Sequence, residues 1–271
     1  MSTELCAVVL AAGEGRRLRP LTEQLPKALC PVGNVPLLDR ALDRVAALGL
    51  DAAVNACYLG QQVVEHVGDR AHLSVEPGDP LGTAGGLGLL RDWIGGRGVL
   101  VGNADAYLAA DAPPGPDIAA LLAGWDGREV RILGVPGPPH EFGAHRFAGF
   151  SLLPWDLVAN LKPEQSDLVR LVWRPAERAG RLRVVEYPGT YLDTGTPADY
   201  LRANLHAVHG GNLVAESAEV TGRLKEAVVG ADAVVAGSVT RGVVWPGGVV
   251  AAGEALEDAI RVGRELTVAA H

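Results

Sequence analysis

Four cations crowd into one short stretch near the start of the chain. Arg16, Arg17 and Arg19 follow Ala11-Ala12-Gly13-Glu14-Gly15 at once, and Lys27 comes after Pro26. Small residues let a backbone pass close to a ligand, and N–H groups at such a turn form a concavity that favours anions. Nearby cations strengthen that preference, so the chemistry this stretch suits is the binding of a polyphosphate. Two familiar phosphate loops are excluded. The Walker A loop needs Gly-Lys-Ser/Thr, which is missing, and the dinucleotide fingerprint needs a third glycine where Leu18 stands. Further on, a carboxylate ends Asn103-Ala104-Asp105, just past the apolar run at 99–102. The C-terminal end of a parallel strand is where open α/β sheets bind ligands.

These groups need elements to hold them. The wholly apolar run at 6–10 reads as a strand buried on both faces of a parallel sheet. Helical spacing of Leu38, Ala41, Leu42, Val45 and Leu48 predicts a helix over 37–48, ended by Gly49. A strand over 52–56, a helix over 61–67 and a strand over 72–75 continue a βαβα rhythm, which implies a parallel sheet with right-handed crossovers. The glycine-rich loop 76–86 leads into a helix that starts near Thr83 and runs on through 88–93. Further strands are expected over 99–102, 129–135, 147–154 and 184–191, and Pro197 opens a helix over 198–208. Asp111 and Asp117 read as turn residues of a Pro-rich loop, and His140 and His145 as exposed loop residues. From about Val228, valines and small residues recur with a loose six-residue spacing, which suggests a few coils of a parallel β-helix. A few coils leave open edges, so a packing or oligomerisation element is expected there.

Composition narrows the partners. The chain has 271 residues, 48% hydrophobic and 21% charged, with a net charge of −8. A general attraction to nucleic acid or an anionic membrane is therefore not expected. Cys6, Cys30 and Cys57 are odd in number and widely spaced, so they read as reduced thiols rather than disulfide or zinc ligands. No signal peptide or membrane-length apolar run is read, and a cytoplasmic location is expected.

The motifs also carry a resemblance. Leu10 to Gly13, Gly15, Arg17, Leu18, Pro20 to Thr22, Pro26 and Lys27 form a run that resembles the nucleotide-binding signature of the sugar-1-phosphate nucleotidyltransferases. Arg16 departs from it, standing where Ser or Thr is usual. Leu81 to Gly85 resemble that family's Leu-Gly-Thr-Ala-Gly segment, which lies against the base and ribose. Asn103-Ala104-Asp105 resembles its Asn-Gly-Asp, and Tyr191 to Pro197 resemble its Trp-x-Asp-x-Gly-Thr-Pro motif.

The resemblance implies a Rossmann-like α/β fold, a mixed, mainly parallel sheet flanked by helices. A catalytic domain over 1–210 would be followed by a short hexapeptide-type, left-handed β-helix tail over 211–271. It implies Arg17, Lys27, Asp105 and Asp193 as catalytic residues, with both Asp residues holding Mg²⁺. Leu10, Ala11, Ala12, Gly13, Gly15, Arg16, Glu76, Gly82, Thr83, Ala84 and Asn103 would bind the nucleotide, and Gly85 and Gly149 the sugar. The partners implied are an NTP and a sugar 1-phosphate, whose oxygen would attack the α-phosphorus in line and expel pyrophosphate. Where the family often has a Glu-Lys-Pro lysine this chain has none, and His145, Arg146, Lys162 and Arg174 are all open substitutes.

The Glu76 loop and the tail favour GTP with mannose 1-phosphate, or a related heptose. Tyr58 to Gln62 and the missing lysine instead resemble uridylyltransferases acting on N-acetylmuramate 1-phosphate. A thymidylyltransferase using glucose 1-phosphate comes third. A catalytically silent regulatory homologue that binds nucleotide-sugar is the alternative of another class. Retention of Arg17, Lys27, Asp105 and Asp193 ranks it below the enzyme.

Overall fold

A computed structural model describes residues 4–270. The chain forms two compact units that do not follow sequence order. One comprises the chain up to Glu14 together with Leu38–Tyr191; the other comprises Gly15–Leu37 together with Leu192 onward.

The first unit is built on β1 (Leu5–Leu10), α1 (Leu37–Ala47), β2 (Ala52–Ala56), α2 (Gly60–Val67), β3 (His72–Val75), α3 (Gly82–Leu89) and β4 (Gly98–Asn103). After these come β5 (Val130–Pro136), β6 (His145–Leu153) and β7 (Leu182–Glu186). The seven strands form one sheet in the order β7-β5-β6-β4-β1-β2-β3. Strand β1 pairs in parallel with both β2 and β4, while β6 runs antiparallel to β4 and β5. This is the mixed, mainly parallel sheet expected from the apolar runs.

Alternate residues of a strand face opposite sides. Cys6, Val8, Val99 and Val101 accordingly share a core with Ala84 and Leu87 of α3 and with Trp173. Each fully buried Val or Leu contributes about 1.5–3 kcal/mol. Helix α1 buries Leu38, Ala41, Leu42 and Val45, the stripe its spacing predicts. Helix α3 ends at Leu89, and a separate short helix, Arg91–Ile94, replaces the expected continuation.

Two sequence expectations fail together in this unit. The single strand expected over 184–191 is two pieces, Leu182–Glu186 and Thr190–Leu192. The break falls at Tyr187-Pro188-Gly189: Pro188 has no N–H to donate to a ladder, and Tyr187 turns inward. Its hydroxyl donates to Asp117 Oδ2 at 3.1 Å. Asp117 is therefore no turn residue on the surface. It is 4% exposed, accepts from Arg44 Nε at 2.9 Å, and also accepts from the Gly115 N–H. Burial and the Asp117 charge push the Tyr187 phenol well up, so it stays a donor.

The second unit joins the cationic segment to the tail. Helix α4 (Pro197–Ala207) is capped by Thr196, whose hydroxyl accepts from the Asp199 N–H. Parallel strands then stack as β8 (Arg223–Val229), β9 (Ser238–Val244) and β10 (Ala259–Val262), closed by an antiparallel β11 (Leu266–Ala269). Inside lie Val229, Val235, Val239, Val244 and Val250. The repeat is not a multiple of six. Arg223 stands opposite Ser238 and Val234 opposite Val249, fifteen residues per coil, and Ser238 stands opposite Ala255, seventeen on. Strand alternation sets which valines point inward, and turns of unequal length set the period.

Cys6 and Cys30 are fully buried, and burial pushes their thiols up to about 11 and about 12. Cys57 is partly exposed. The thiolate is the nucleophile, so iodoacetamide at pH 8 is expected to alkylate Cys57 alone in the native protein. Peptide mass mapping checks this, and modification of Cys6 or Cys30 before unfolding would contradict it. No described helix is long and apolar enough to cross a membrane.

Candidate active site

In the first unit the glycine-rich loops meet at the ends of β1 and β2. The Ala11 N–H donates to Asn55 Oδ1 at 2.7 Å, and Asn55 Nδ2 donates to Glu76 Oε1 at 2.7 Å. Glu76 Oε2 accepts from the Leu81 N–H at 2.8 Å. Asn55 and Glu76 are 2% and 4% exposed, so this relay ties the loop after β1 to the loop before α3 through buried groups. Glu76, expected at the nucleotide, spends both carboxylate oxygens on the protein. Asn55 was not anticipated; the signal was a polar residue at the end of the otherwise apolar Ala-Ala-Val-Asn-Ala strand. Gly86 leaves room for the relay, since a Cβ there would stand 2.7 Å from Asn55 Nδ2. Glu76→Ala is expected to cost about 1–3 kcal/mol of stability by orphaning Asn55 and the Leu81 N–H. A several-fold weaker nucleotide affinity should accompany it, read by thermal melting and nucleotide titration.

Leu10, Ala11, Ala12 and Gly13 leave β1 together. Gly13 is exposed, and a Cβ there would meet nothing within 4 Å, as open ground for a ligand requires. Around α3, the expected nucleotide residues Gly82, Thr83 and Ala84 are clasped by the segment after β6. The Ala84 N–H donates to Ser166 O at 3.1 Å, and Thr83 Oγ1 accepts from the Leu168 N–H at 2.9 Å. Gly82 has φ +74° with a Cβ position 2.5 Å from Ser166 O, and a Cβ on Gly85 would run into Glu164 O. These glycines serve that close approach.

Asn103 closes β4, and Asp105 follows it, partly exposed. Gly149 of β6 has φ +85°, and a Cβ on it would collide with Ala106 Cβ. Gly149, expected at the sugar, thus lets β6 lie against the turn that carries Asp105. Of the four substitutes for the missing lysine, three are engaged. His145 Nε2 faces Glu186 at 3.5 Å, Arg146 donates to Tyr191 O, and Arg174 donates to Glu177. Lys162 is exposed.

In the second unit the cations gather on Asp193. Arg17 Nη2 lies 3.7 Å from Asp193 Oδ2, and Lys27 Nζ lies 4.0 Å from Oδ1. Arg17 and Arg16 are exposed, whereas Lys27 is 8% exposed. Gly15 sits at φ +61°, and a Cβ there would press on Thr22 and Lys27 at 2.9 and 3.0 Å. The Thr22 hydroxyl donates to Gly15 O at 3.0 Å, closing the loop on itself. The loop is also pinned from behind. Asn204 of α4 accepts from the Gly33 N–H, Tyr200 donates to Pro31 O, and Asn34 donates to Val229 O of β8. Trp245 Nε1 donates to the Tyr200 hydroxyl at 3.0 Å, so the coil reaches the group that holds Pro31.

Asp105 in the first unit and Asp193 in the second each offer a hard carboxylate oxygen, the donor type Mg²⁺ takes. Among the described residues no cluster of three or more His, Cys, Asp or Glu exists that would hold a metal by protein groups alone.

A mainly parallel sheet flanked by helices, with glycine-rich loops at its strand ends, defines an α/β protein of the open-sheet class, whose ligands bind at such strand ends. Residues 6–122 match the nucleotidyl transferase family. The N-acetylmuramate alpha-1-phosphate uridylyltransferase of Neisseria meningitidis serogroup B is 30% identical over 220 residues, which span 70% of this chain and 93% of that protein. The probable mannose-1-phosphate guanylyltransferase 2 of Arabidopsis thaliana is 27% identical over 231 residues, 72% of this chain and 63% of that protein. A crystal structure described as mannose-1-phosphate geranyltransferase from Thermus thermophilus shares the fold, with a TM-score of 0.69 and 20% identity, over 98% of this chain and 95% of that one. The chain belongs to the sugar-1-phosphate nucleotidyltransferases.

Proposed function

We propose that the chain transfers a nucleoside monophosphate from an NTP to a sugar 1-phosphate, releasing pyrophosphate. The observation that carries this reading is Asp193 flanked by Arg17 and Lys27 on a self-closed loop, in a chain that matches its relative over 93% of that relative's length. Arg17, exposed to solvent, neutralises the departing pyrophosphate. Lys27, buried along its stem, holds its charge in a fixed place for the α-phosphate or the incoming phosphate. The N–H groups of the Gly13 loop donate to phosphate oxygens, and the Asn55–Glu76 relay keeps the loops at the two ends of the nucleotide in step. Mg²⁺ is the cofactor we assign, on Asp105 and Asp193; bound there it supplies charge neutralisation at phosphate oxygens. No covalent enzyme intermediate is needed, since positioning and charge carry such a transfer.

Two substrate pairs enter the test. UTP with N-acetylmuramate 1-phosphate is favoured by the Neisseria relative, matched over nearly all of its length. GTP with mannose 1-phosphate is favoured by the Glu76 loop and by the Arabidopsis relative. Pyrophosphate release is measured over a grid of GTP, UTP, dTTP, ATP and CTP against mannose, glucose, N-acetylglucosamine, N-acetylmuramate and heptose 1-phosphates. Release that needs both an NTP and a sugar 1-phosphate is expected. Silence over the grid with nucleotide-sugar still bound would turn the reading to a regulatory binder.

A further inference from the structure

We propose that a cavity in the first unit receives the acylamino substituent of an N-acylated sugar 1-phosphate, with Trp173 and Ser151 as its hydrogen-bonding partners. The inference rests on the transfer reading above and narrows its sugar. The cavity measures about 200 Å³, and Thr83, Asn103, Phe142, Phe147, Ser151 and Trp173 are among the residues that line it. Its place in the chain ties it to the substrate side. Asn103 closes β4 two residues before Asp105, Thr83 lies in the clasped first turn of α3, and Phe147 stands two residues before Gly149 on β6.

Two of the lining residues carry a buried polar atom without a partner: the Trp173 indole Nε1 and the Ser151 hydroxyl. Trp173 is 6% exposed and Ser151 is fully buried. Buried polar groups in native proteins are paired, and those that are not call for an explanation. The indole N–H only donates, so it requires an acceptor; the serine hydroxyl both donates and accepts. Around them the walls are aromatic, with the Phe142 and Phe147 rings 6.0 and 4.6 Å from the Trp173 ring.

An acylamino group answers all three demands. Its carbonyl accepts from the indole, its N–H or carbonyl pairs with the serine, and its alkyl part covers the aromatic walls. A bare sugar hydroxyl brings no apolar surface, and the volume is many times what one water requires. A phosphate is a poor occupant as well. The one cation among the lining residues, Arg174, already lies over Phe142 at 4.5 Å and donates to Glu177 at 2.7 Å.

The test compares kcat/KM for N-acetylglucosamine 1-phosphate and glucose 1-phosphate, which differ only in acetamido against hydroxyl. Wild type, Ser151→Ala and Trp173→Phe are measured with the best NTP. Wild type is expected to favour the acetylated sugar by at least about tenfold, the weight of one or two well-made hydrogen bonds. Each variant should lose about three- to tenfold with the acetylated sugar, through KM, and stay within about twofold with glucose 1-phosphate. Ser151→Ala removes an unpaired buried hydroxyl, so it folds at least as well as wild type and guards against a folding artefact. Equal kcat/KM for the two sugars in wild type would overturn the proposal, as would variants that slow both sugars alike. Turnover of either sugar sustains the transfer reading whichever way the preference falls. If neither turns over, calorimetric titration of the two sugar 1-phosphates reads the preference directly: tighter binding of the acetylated sugar sustains the cavity's role, and equal binding overturns it.

Discussion

Asp193→Asn is expected to lower turnover on the order of 10³-fold while the protein melts at an unchanged temperature. The carboxylate is partly exposed, and among the described residues its ion pairs are long, 3.7 Å to Arg17 and 4.0 Å to Lys27, so its own unit does not lean on it for stability. Asparagine keeps its shape and removes the charge that is proposed to share the metal and to hold the two cations near the reacting phosphates. Asp105→Asn is expected to do the same from the first unit, where Gly149 packs against Ala106 and so fixes the turn beside it. Steady-state pyrophosphate release together with a melting curve checks both. Turnover near that of wild type in either variant would remove that residue from the metal and from the chemistry.

The largest loss of stability is expected away from the chemistry, at Asp117→Ala. Arg44, Asp117 and Tyr187 are 4%, 4% and 2% exposed, and the carboxylate answers the guanidinium, the phenol and the Gly115 N–H at once. Arg44 also donates to Leu108 O, so the group fastens α1 to the short strand Tyr107–Ala109 that follows Asp105. Removing one partner of a buried pair leaves an uncompensated charge, which costs about 3–5 kcal/mol. For a chain of this size that lowers the melting temperature by about 10 °C. Tyr187→Phe, which loses one hydrogen bond and keeps the packing, should cost about 1 kcal/mol. A melting temperature within a degree or two of wild type for Asp117→Ala would contradict the assignment.

The contrast between Asp193 and Asp117 shows what the sequence made legible. Asp193 stands in a run of named residues with a characteristic spacing, and Asp105 follows an apolar strand, so both stand out from local pattern. Asp117 lies in a Pro-rich loop whose composition says turn. Its burial comes from Arg44 and Tyr187, 73 and 70 residues away, and no local pattern reports such partners. Asn55 was missed for the same reason: it works through Ala11 and Glu76, which only the folded sheet brings to it. Strands β1 and β2 were legible because buried parallel strands are short, largely apolar runs. The 184–191 strand misled because its apolar pattern runs on past the point where Pro188 and the inward turn of Tyr187 break the ladder. The tail showed its valines but not its period, since fifteen and seventeen residues per coil differ only in turn length.

The cationic loop shows a further dependence that no motif reveals. Gly15 to Leu37 is held by Asn204 and Tyr200 of α4, and by Val229 and Trp245 of the coil. The tail therefore supports the cationic loop inside its own unit.

The central claim is that the α-phosphorus moves from the NTP to a sugar 1-phosphate. Incubating the protein and Mg²⁺ with α-³²P-labelled UTP or GTP and each sugar 1-phosphate tests it most directly. The label is expected in a product that resists alkaline phosphatase, because both its phosphates are then bridged between nucleoside and sugar. Its formation should need the sugar and should release one unlabelled pyrophosphate per product. Label that stays in the NTP, or that appears only as phosphatase-sensitive NMP or NDP with every sugar offered, would contradict nucleotidyl transfer.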